Sequence, residues 1–218
     1  MTESGRYPVL TTTRLGRPRR VLPRFHRYYA TEDLPSPPPL SVLILAVNGQ
    51  IAKAQIERHG IRAAADAPAR AMVVSEARHS LECCVDIDSA HPAERFAIHA
   101  RFDCWVNDPL ALIRHGCLDA EQQLRSYLFG MKNLRAELIR HRVAELGEIL
   151  PKLVSEAQAE IELLPPLIVG MRVNVPYVSV LTGGAPADAM WRGELTAGAL
   201  PALVEDTQGT RSREVKDG

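Results

Sequence analysis

Histidines and cysteines are the residues of this chain best suited to metal binding or nucleophilic catalysis. The sequence has seven histidines and four cysteines, but no Cys-x-x-Cys, His-x-x-x-His or His-Glu-x-x-His spacing. Spacings of that kind bring two ligands to one side of a turn or helix. Cys104 falls on the apolar side of an alternating segment, where a thiol is normally a small buried hydrophobe. The pattern therefore predicts no catalytic, cofactor-binding or metal-binding residue, and no cofactor.

Two carboxylates lie in the stretch "FDCWVNDPLALIRHG", which changes from a strand pattern to a helical one. Asp103 falls on the polar side of the strand, so we expect it to pair with a basic residue on a neighbouring strand. Asp108 precedes Pro109, and proline suits the first position of a helix while aspartate suits the cap before it. Asp108 and Pro109 are therefore predicted to be a structural junction.

Basic residues are concentrated in residues 1–39, a segment rich in arginine and proline. The composition and the lack of a periodic apolar stripe predict a disordered basic arm. Such an arm is either a solubilising tail or a contact for phosphate, including an anionic lipid surface. The contact residues would be Arg14, Arg17, Arg19, Arg20, Arg24 and Arg27. Nucleic acid is the least favoured partner, because the formal net charge of the whole chain is +0.

Composition limits the remaining classes of protein. With 218 residues, 46% of them hydrophobic, the chain has the size of one domain with tails. Its longest clean apolar run, "LSVLILAVNG", is far shorter than the ~20 residues of a membrane-spanning helix. The start has no signal-peptide pattern, so we predict a cytoplasmic protein with reduced thiols.

Strand patterns occupy residues 40–106. "LSVLILAV" and "QIAKAQIE" flank Asn48-Gly49 and predict a hairpin, and a second pair of strands is predicted around Glu76-Ala77. "RFAIHARFDCWV" alternates strictly, which predicts a strand with one core face and one polar face.

Helical patterns follow from Pro109. A short helix should end at Gly116, and Asp119 should cap a long helix with apolar positions from Leu124 to Leu138. A second helix is predicted after a junction near residues 142–148, with a kink or break at Pro151.

"MRVNVPYVSVL" returns to a strand pattern, in which Pro176 indicates an edge strand or a bulge. "LTGGAP" lacks the remainder of a phosphate loop, so we interpret it as a turn, and residues 183–218 as a polar, disordered tail.

The order of these features resembles the SPFH or band 7 domain shared by stomatins, prohibitins and flotillins. The resemblance covers residues 40–182 and is carried by Phe102, Val106, Asp108, Pro109, Gly116, Leu124, Tyr127, Leu128, Gly170, Val173 and Val175. It implies an α+β domain with a curved, mainly antiparallel sheet and helices packed along it, flanked by disordered tails. Typical members carry an N-terminal hydrophobic anchor and many continue into a long coiled coil, and this sequence shows neither pattern.

The resemblance also implies a function. Members of the family are not enzymes; they assemble side by side at membranes and hold membrane-associated partners. For this chain it predicts a non-enzymatic scaffold or adaptor that is a homo-oligomer or docks on a membrane-associated protein, with peripheral attachment at the inner face of the membrane through the arginines. Two alternatives stay open: an enzyme or enzyme subunit using residues such as His99 or Asp103 in a cleft between sheet and helices, and nucleic-acid binding by the arm.

Overall fold

A computed structural model describes residues 2–4, 6–20, 26–57 and 60–183, with side chains from residue 6 onward. The predicted tail therefore lies outside the described residues, apart from Gly183. The strands are β1 (Thr2–Ser4), β2 (Val9–Leu15), β3 (Arg19–Arg20), β4 (Arg27–Tyr29), β5 (Ser41–Val47), β6 (Gln50–Lys53), β7 (Ile61–Arg62), β8 (Ala69–Ser75), β9 (His79–Asp88), β10 (Arg95–Val106) and β11 (Met171–Thr182). The helices are α1 (Pro109–Arg114), α2 (Ala120–Phe129), α3 (Lys132–Leu138) and α4 (Leu146–Leu163), and short 3-10 helices span Thr31–Asp33 and Val143–Glu145. The fold is α+β with antiparallel sheets, as predicted.

The strands form three sheets, with orders β1-β2-β8-β5-β6, β11-β10-β9 and β3-β4-β7. Hairpin β5-β6 is confirmed: Asn48 and Gly49 both have positive φ, 49° and 79°, as a two-residue type I′ turn requires. The second predicted pair is wrong. β8 and β9 exist, but β8 pairs with β2 and β5 while β9 pairs with β10, because alternation marks a strand and not its partner.

The predicted disordered arm of residues 1–39 is also wrong for its described part. β2 lies inside the five-stranded sheet between β1 and β8, and Val9 and Leu15 are only 2% and 4% exposed. Tyr28 and Tyr29 of β4 are also buried. Three successive threonines explain the strand, since their β-branched side chains suit a pleated surface. The domain therefore begins before residue 40, and the prediction failed because the arginine and proline content masked a seven-residue strand.

β10 is the central strand of the β11-β10-β9 sheet and has the two faces that its alternation predicts. Phe96, Ile98, Ala100, Phe102 and Cys104 are completely buried on one face. β11 is an edge strand, and its register with β10 shifts between Arg101 and Asp103, which places Val175 and Pro176 opposite Phe102. Pro176 thus lies at a bulge on an edge strand, where its missing N–H disrupts no regular ladder bond.

The long helix predicted from Asp119 is two helices. α2 ends before Gly130 and α3 begins at Lys132, so the apolar spacing continues across a break in the backbone. The predicted junction near residues 142–148 is confirmed by the 3-10 helix there. Of the kink or break predicted at Pro151, the break is wrong, because α4 continues through Pro151. Pro151 removes one hydrogen bond, to the carbonyl of Gly147, and Gly147 is exposed, so that carbonyl has access to water.

Two cores hold the fold together. The larger core joins one face of the five-stranded sheet to the β11-β10-β9 sheet and the helices. It includes Ile44, Met72, Phe102, Leu124 and Leu153. The smaller joins the other face of the five-stranded sheet to the β3-β4-β7 sheet. α2 packs against β9, and α4 packs against β11 and α3. Of the helices in the described part of the chain, none has the length and apolar character needed to cross a membrane.

Candidate interaction surface

Asp108 and Pro109 form the junction between β10 and α1. The Asp108 carboxylate accepts hydrogen bonds from the backbone N–H groups of Leu110, at 3.1 Å, and Ala111, at 3.0 Å. Pro109 is buried at the first position of the helix, and Gly116 ends it with φ of 73°. The aspartate is therefore a helix cap, which is the role that the sequence predicts for it.

Gly170 packs directly on this junction. Its carbonyl accepts hydrogen bonds from the N–H groups of Asn107, at 3.1 Å, and Asp108, at 3.0 Å. Gly170 has φ of 82°, and a Cβ there would lie 2.3 Å from the carbonyl oxygen of Asp108 and 2.5 Å from the backbone nitrogen of Leu112. Only glycine fits such a position. The end of β10, the start of α1 and the start of β11 are thus held at one point.

An open groove of about 690 Å³ lies beside the junction, between α2 and the segment from Pro166 to Ile168. Leu118, Gln122 and Tyr127 line its other side. The Tyr127 hydroxyl donates a hydrogen bond of 2.8 Å to the carbonyl of Leu164, which ties the segment to α2. Burial, with a smaller contribution from Glu160, raises the pKa of Tyr127 to about 12, so the hydroxyl remains a donor at neutral pH.

Two exposed leucines, Leu118 and Leu167, line this groove, and Leu163 and Leu164 are exposed a few residues before Leu167. We call these four leucines the apolar rim. Leu167 is 87% exposed and Leu163 72% exposed. No residue from 163 to 169 carries a polar side chain. Grouped exposed leucines usually mark a contact surface. This surface was not predicted from the sequence, although a run of seven apolar residues with two prolines after an amphipathic helix was a signal for it.

Glu160 anchors the start of α3 to α4. Its side chain is buried, at 7% exposure, and its two oxygens accept hydrogen bonds from the N–H groups of Asn133, at 3.3 Å, and Leu134, at 3.0 Å. These are N–H groups of the first turn of α3, which have no partner within the helix. Glu160 therefore supplies from another helix the cap that Met131, at the cap position of α3, cannot provide.

His141 connects α3 to the start of α4. Its Nδ1 lies 2.9 Å from the Glu145 carboxylate and its Nε2 lies 3.4 Å from that of Glu137, which also pairs with Lys152. The hydrogen bond with Glu145 is the main reason that the pKa of His141 is raised, and the hydrogen bond from Lys152 is the main reason that the pKa of Glu137 is lowered. The cluster links helices and faces solvent, where ion pairs contribute little free energy.

The residues considered for catalysis lie on the other side of the three-stranded sheet. Phe102 contacts Tyr127 of α2, so α2 covers the apolar face of β10, while His99 and Asp103 point to the opposite face. His99 lies 3.9 Å from the Glu82 carboxylate and against the edge of Tyr177. Asp103 lies 3.9 Å from Arg101 of its own strand, so the predicted cross-strand basic partner is wrong. The structure does not bring either residue into a cleft between sheet and helices.

Three of the four cysteines are buried thiols. Burial raises the pKa of Cys83 to about 11, of Cys104 to about 12 and of Cys117 to about 11. A thiol with such a pKa is protonated at neutral pH and is a poor nucleophile. Cys104 is fully buried in the larger core, which agrees with the predicted structural role. In the described ranges, no group of three or more His, Cys, Asp or Glu side chains is placed to hold a metal ion.

The six arginines assigned to the arm lie in different settings. Arg19 pairs with Glu32, at 3.3 Å, and Asp33, at 3.9 Å, and Arg27 pairs with Asp66. Arg14, Arg17 and Arg20 are exposed. Arg24 lies outside the described residues.

Comparisons with known proteins complete the description of this surface. No protein-family model matches the chain, and none of the curated proteins matches it.

Proposed function

We propose that the chain is a non-enzymatic scaffold or adaptor with an SPFH/band 7-like domain, which self-associates or docks on a membrane-associated protein. The observation that carries the proposal is the apolar rim. Leu163, Leu164 and Leu167 expose most of their side chains, and Leu167 lines an open groove. Burying one such leucine in an interface is worth about 1.5 to 3 kcal/mol, so an adaptor surface of this kind gains stability from a partner.

The packing of the junction supports the resemblance on which this proposal rests. Asp108 and Gly170 belong to parts of the motif that are about sixty residues apart in sequence, and they are in contact in the structure. Leu124 and Leu128, which belong to the helical part, are fully buried in the same core as Phe102. The residues of the resemblance thus form one continuous packed region beside the apolar rim.

Electrostatic attachment to an anionic membrane is the second part of the proposal. Arg14, Arg17 and Arg20 are exposed, and each basic residue near an anionic surface contributes about 1 kcal/mol. Arg19 and Arg27 contribute less, because their charges are already paired with carboxylates. Attachment by so few charges is weak and reversible, so the apolar rim or a protein partner would have to supply the remaining affinity.

The apolar rim is tested by charge substitution. Leu163→Glu and Leu167→Glu each place a carboxylate on the rim. We expect each to weaken self-association about tenfold or more, because each removes a leucine that the interface would bury and forces the interface to desolvate a charge. Light scattering coupled to size-exclusion chromatography over a wide concentration range measures the change. Ile139→Glu is the matched control, since Ile139 is 52% exposed in the turn that follows α3, away from the groove.

Equal weakening by Ile139→Glu would contradict the assignment of the interface to the apolar rim. A chain that stays monomeric at every concentration would contradict self-association and leave docking. Docking is then tested with a photo-crosslinking residue at position 167, in membranes from cells that express the chain. Adducts with a membrane-associated protein support docking, and the lack of any such adduct contradicts it. Adducts that survive in the Leu163→Glu background contradict the assignment of docking to the apolar rim.

A further inference from the structure

Arg14 of β2 lies directly opposite Arg70 of β8 in the five-stranded sheet. Directly opposed residues of antiparallel strands point to the same face, with Cβ atoms about 4.5 to 5.5 Å apart. Both side chains are exposed. The two guanidinium groups therefore leave the sheet side by side.

This opposition is unfavourable in the free protein. Like charges at directly opposed positions destabilise a sheet. In the part of the chain whose side chains the structure describes, neither arginine has a carboxylate partner, whereas Arg19 and Arg27 in the same region each have one. Among the residues whose side chains are described, the pair is thus a double positive charge without a carboxylate partner, and the backbone of Glu3 lies in the neighbouring row, opposite Thr12.

The pair lies at the margin of the larger core. One row of paired residues across the sheet is Glu3, Thr12, Met72 and Ile44, and the next row on the same face is Arg14, Arg70 and Ala46. Met72 and Ile44 are buried, so the two arginines lie in the first exposed row beside the buried residues of this face. β2 and β8 are both flanked by other strands, so the two backbones are fixed before any ligand arrives.

Thr12 adds a hydroxyl to the same face, because it lies two residues before Arg14 on the strand. The side chains thus offer two planar guanidinium groups and one hydroxyl. A guanidinium group binds phosphate oxygens through two parallel hydrogen bonds, and a phosphate monoester carries a charge of about −1.5 to −2 at pH 7. Such a dianion balances two arginines, which a single carboxylate cannot do.

We propose that Arg14, Arg70 and Thr12 form a binding site for a phosphate monoester, either the headgroup of an acidic lipid or a soluble phosphate. The site deepens the membrane attachment proposed above and rests on it only for the lipid source. It assigns that attachment to one structured pair, one member of which, Arg70, is outside the arginine-rich segment, rather than to a mobile arm.

The test compares binding of two probes to the full chain. Inorganic phosphate is titrated while NMR shifts are followed, and vesicles of phosphatidylcholine with or without phosphatidic acid are used in flotation. We expect Arg14→Gln and Arg70→Gln each to weaken binding about tenfold or more, because each removes charge-assisted hydrogen bonds. Arg172→Gln is the matched control, since Arg172 is exposed on β11 in a different sheet. Arg17→Gln tests the rest of the arm.

A thermal melt without phosphate establishes that the variants are folded. Removing one of two opposed charges should leave the melting temperature unchanged or higher. Should either Gln variant melt lower, Arg70→Lys replaces it, because lysine keeps the charge and loses the planar fork, and binding should still fall.

The outcomes separate the site from the proposed function. Phosphate binding that depends on Arg14 and Arg70 supports the site. If the chain binds phosphate but does not bind vesicles, the ligand is soluble and the proposed membrane attachment fails. Vesicle binding alone, lost in both variants, supports a lipid source. Equal loss in Arg172→Gln would show diffuse charge and overturn the site, as would unchanged binding in both Gln variants or no binding of either probe.

Discussion

At the scale of single residues, Gly170 is the position that least tolerates a side chain. Gly170→Ala would force a Cβ into the backbone of Asp108 and Leu112 and would also strain φ at 82°. We expect a loss of about 2 to 5 kcal/mol in the free energy of unfolding, from overpacking and left-handed strain together. Urea unfolding followed by circular dichroism measures it.

Gly49→Ala is the control for this substitution. Gly49 has a similar φ of 79°, but a Cβ there meets nothing within 4 Å. It should lose only about 1 to 2 kcal/mol, which is the strain alone. Equal losses in the two variants would mean that close packing at the junction adds nothing to the stability of the fold.

The two glycines also mark how far the sequence could predict single positions. Asn48-Gly49 and Asp108-Pro109 were predictable, because a turn or a cap is decided by residues that are neighbours in sequence. The close approach of Gly170 to Asp108 was not, because it depends on how β10 and β11 pair. The same holds for Arg70, whose position opposite Arg14 depends on a strand that composition had hidden.

At the scale of elements, α3 depends on a carboxylate from α4. Glu160→Ala would remove the acceptor of the N–H groups of Asn133 and Leu134, and the position of Leu134 is buried. We expect the free energy of unfolding to fall by about 1.5 to 3 kcal/mol, the range for hydrogen bonds to a charged group. Chemical denaturation at neutral pH measures the change.

Glu156→Ala is the matched control, because Glu156 lies one turn earlier on α4 and is exposed. It should change the free energy of unfolding by less than about 0.5 kcal/mol. If Glu160→Ala were as mild as Glu156→Ala, solvent or another group would have to satisfy the start of α3.

The separate helix α3 shows which boundaries of elements the sequence could not predict. The apolar stripe continues from Leu124 to Leu138 at helical spacing, and all of Leu124, Leu128, Leu134 and Leu138 are completely buried. Apolar periodicity shows which residues face the core. It does not detect the turn at Gly130, because α3 presents its leucines to the core at the spacing that one continuous helix would give. The cap that permits the break comes from Glu160, twenty-six residues from Leu134.

At the scale of the whole molecule, the described residues of the N-terminal segment 1–39 are part of the fold. β2 pairs along nearly the whole of β8, and the smaller core contains Leu15 and Tyr29. Burial of Val9, Leu15 and Tyr29 is worth roughly 5 to 9 kcal/mol in total by the usual value for each side chain. This is comparable to the whole stability of a typical domain, about 5 to 15 kcal/mol.

We therefore expect a fragment of residues 40–218, which starts where the resemblance to SPFH domains starts, to lose cooperative unfolding and to bind a hydrophobic dye. The matched control is a fragment of residues 6–218, which lacks only the short edge strand β1 and keeps β2. It should retain a cooperative thermal transition by circular dichroism. A fragment 40–218 that unfolds as cooperatively as the full chain would mean that β2 is an accessory strand. In that case the strand that carries Arg14 would not be held firmly against the domain, and Arg14 and Arg70 could not form a pre-organised site.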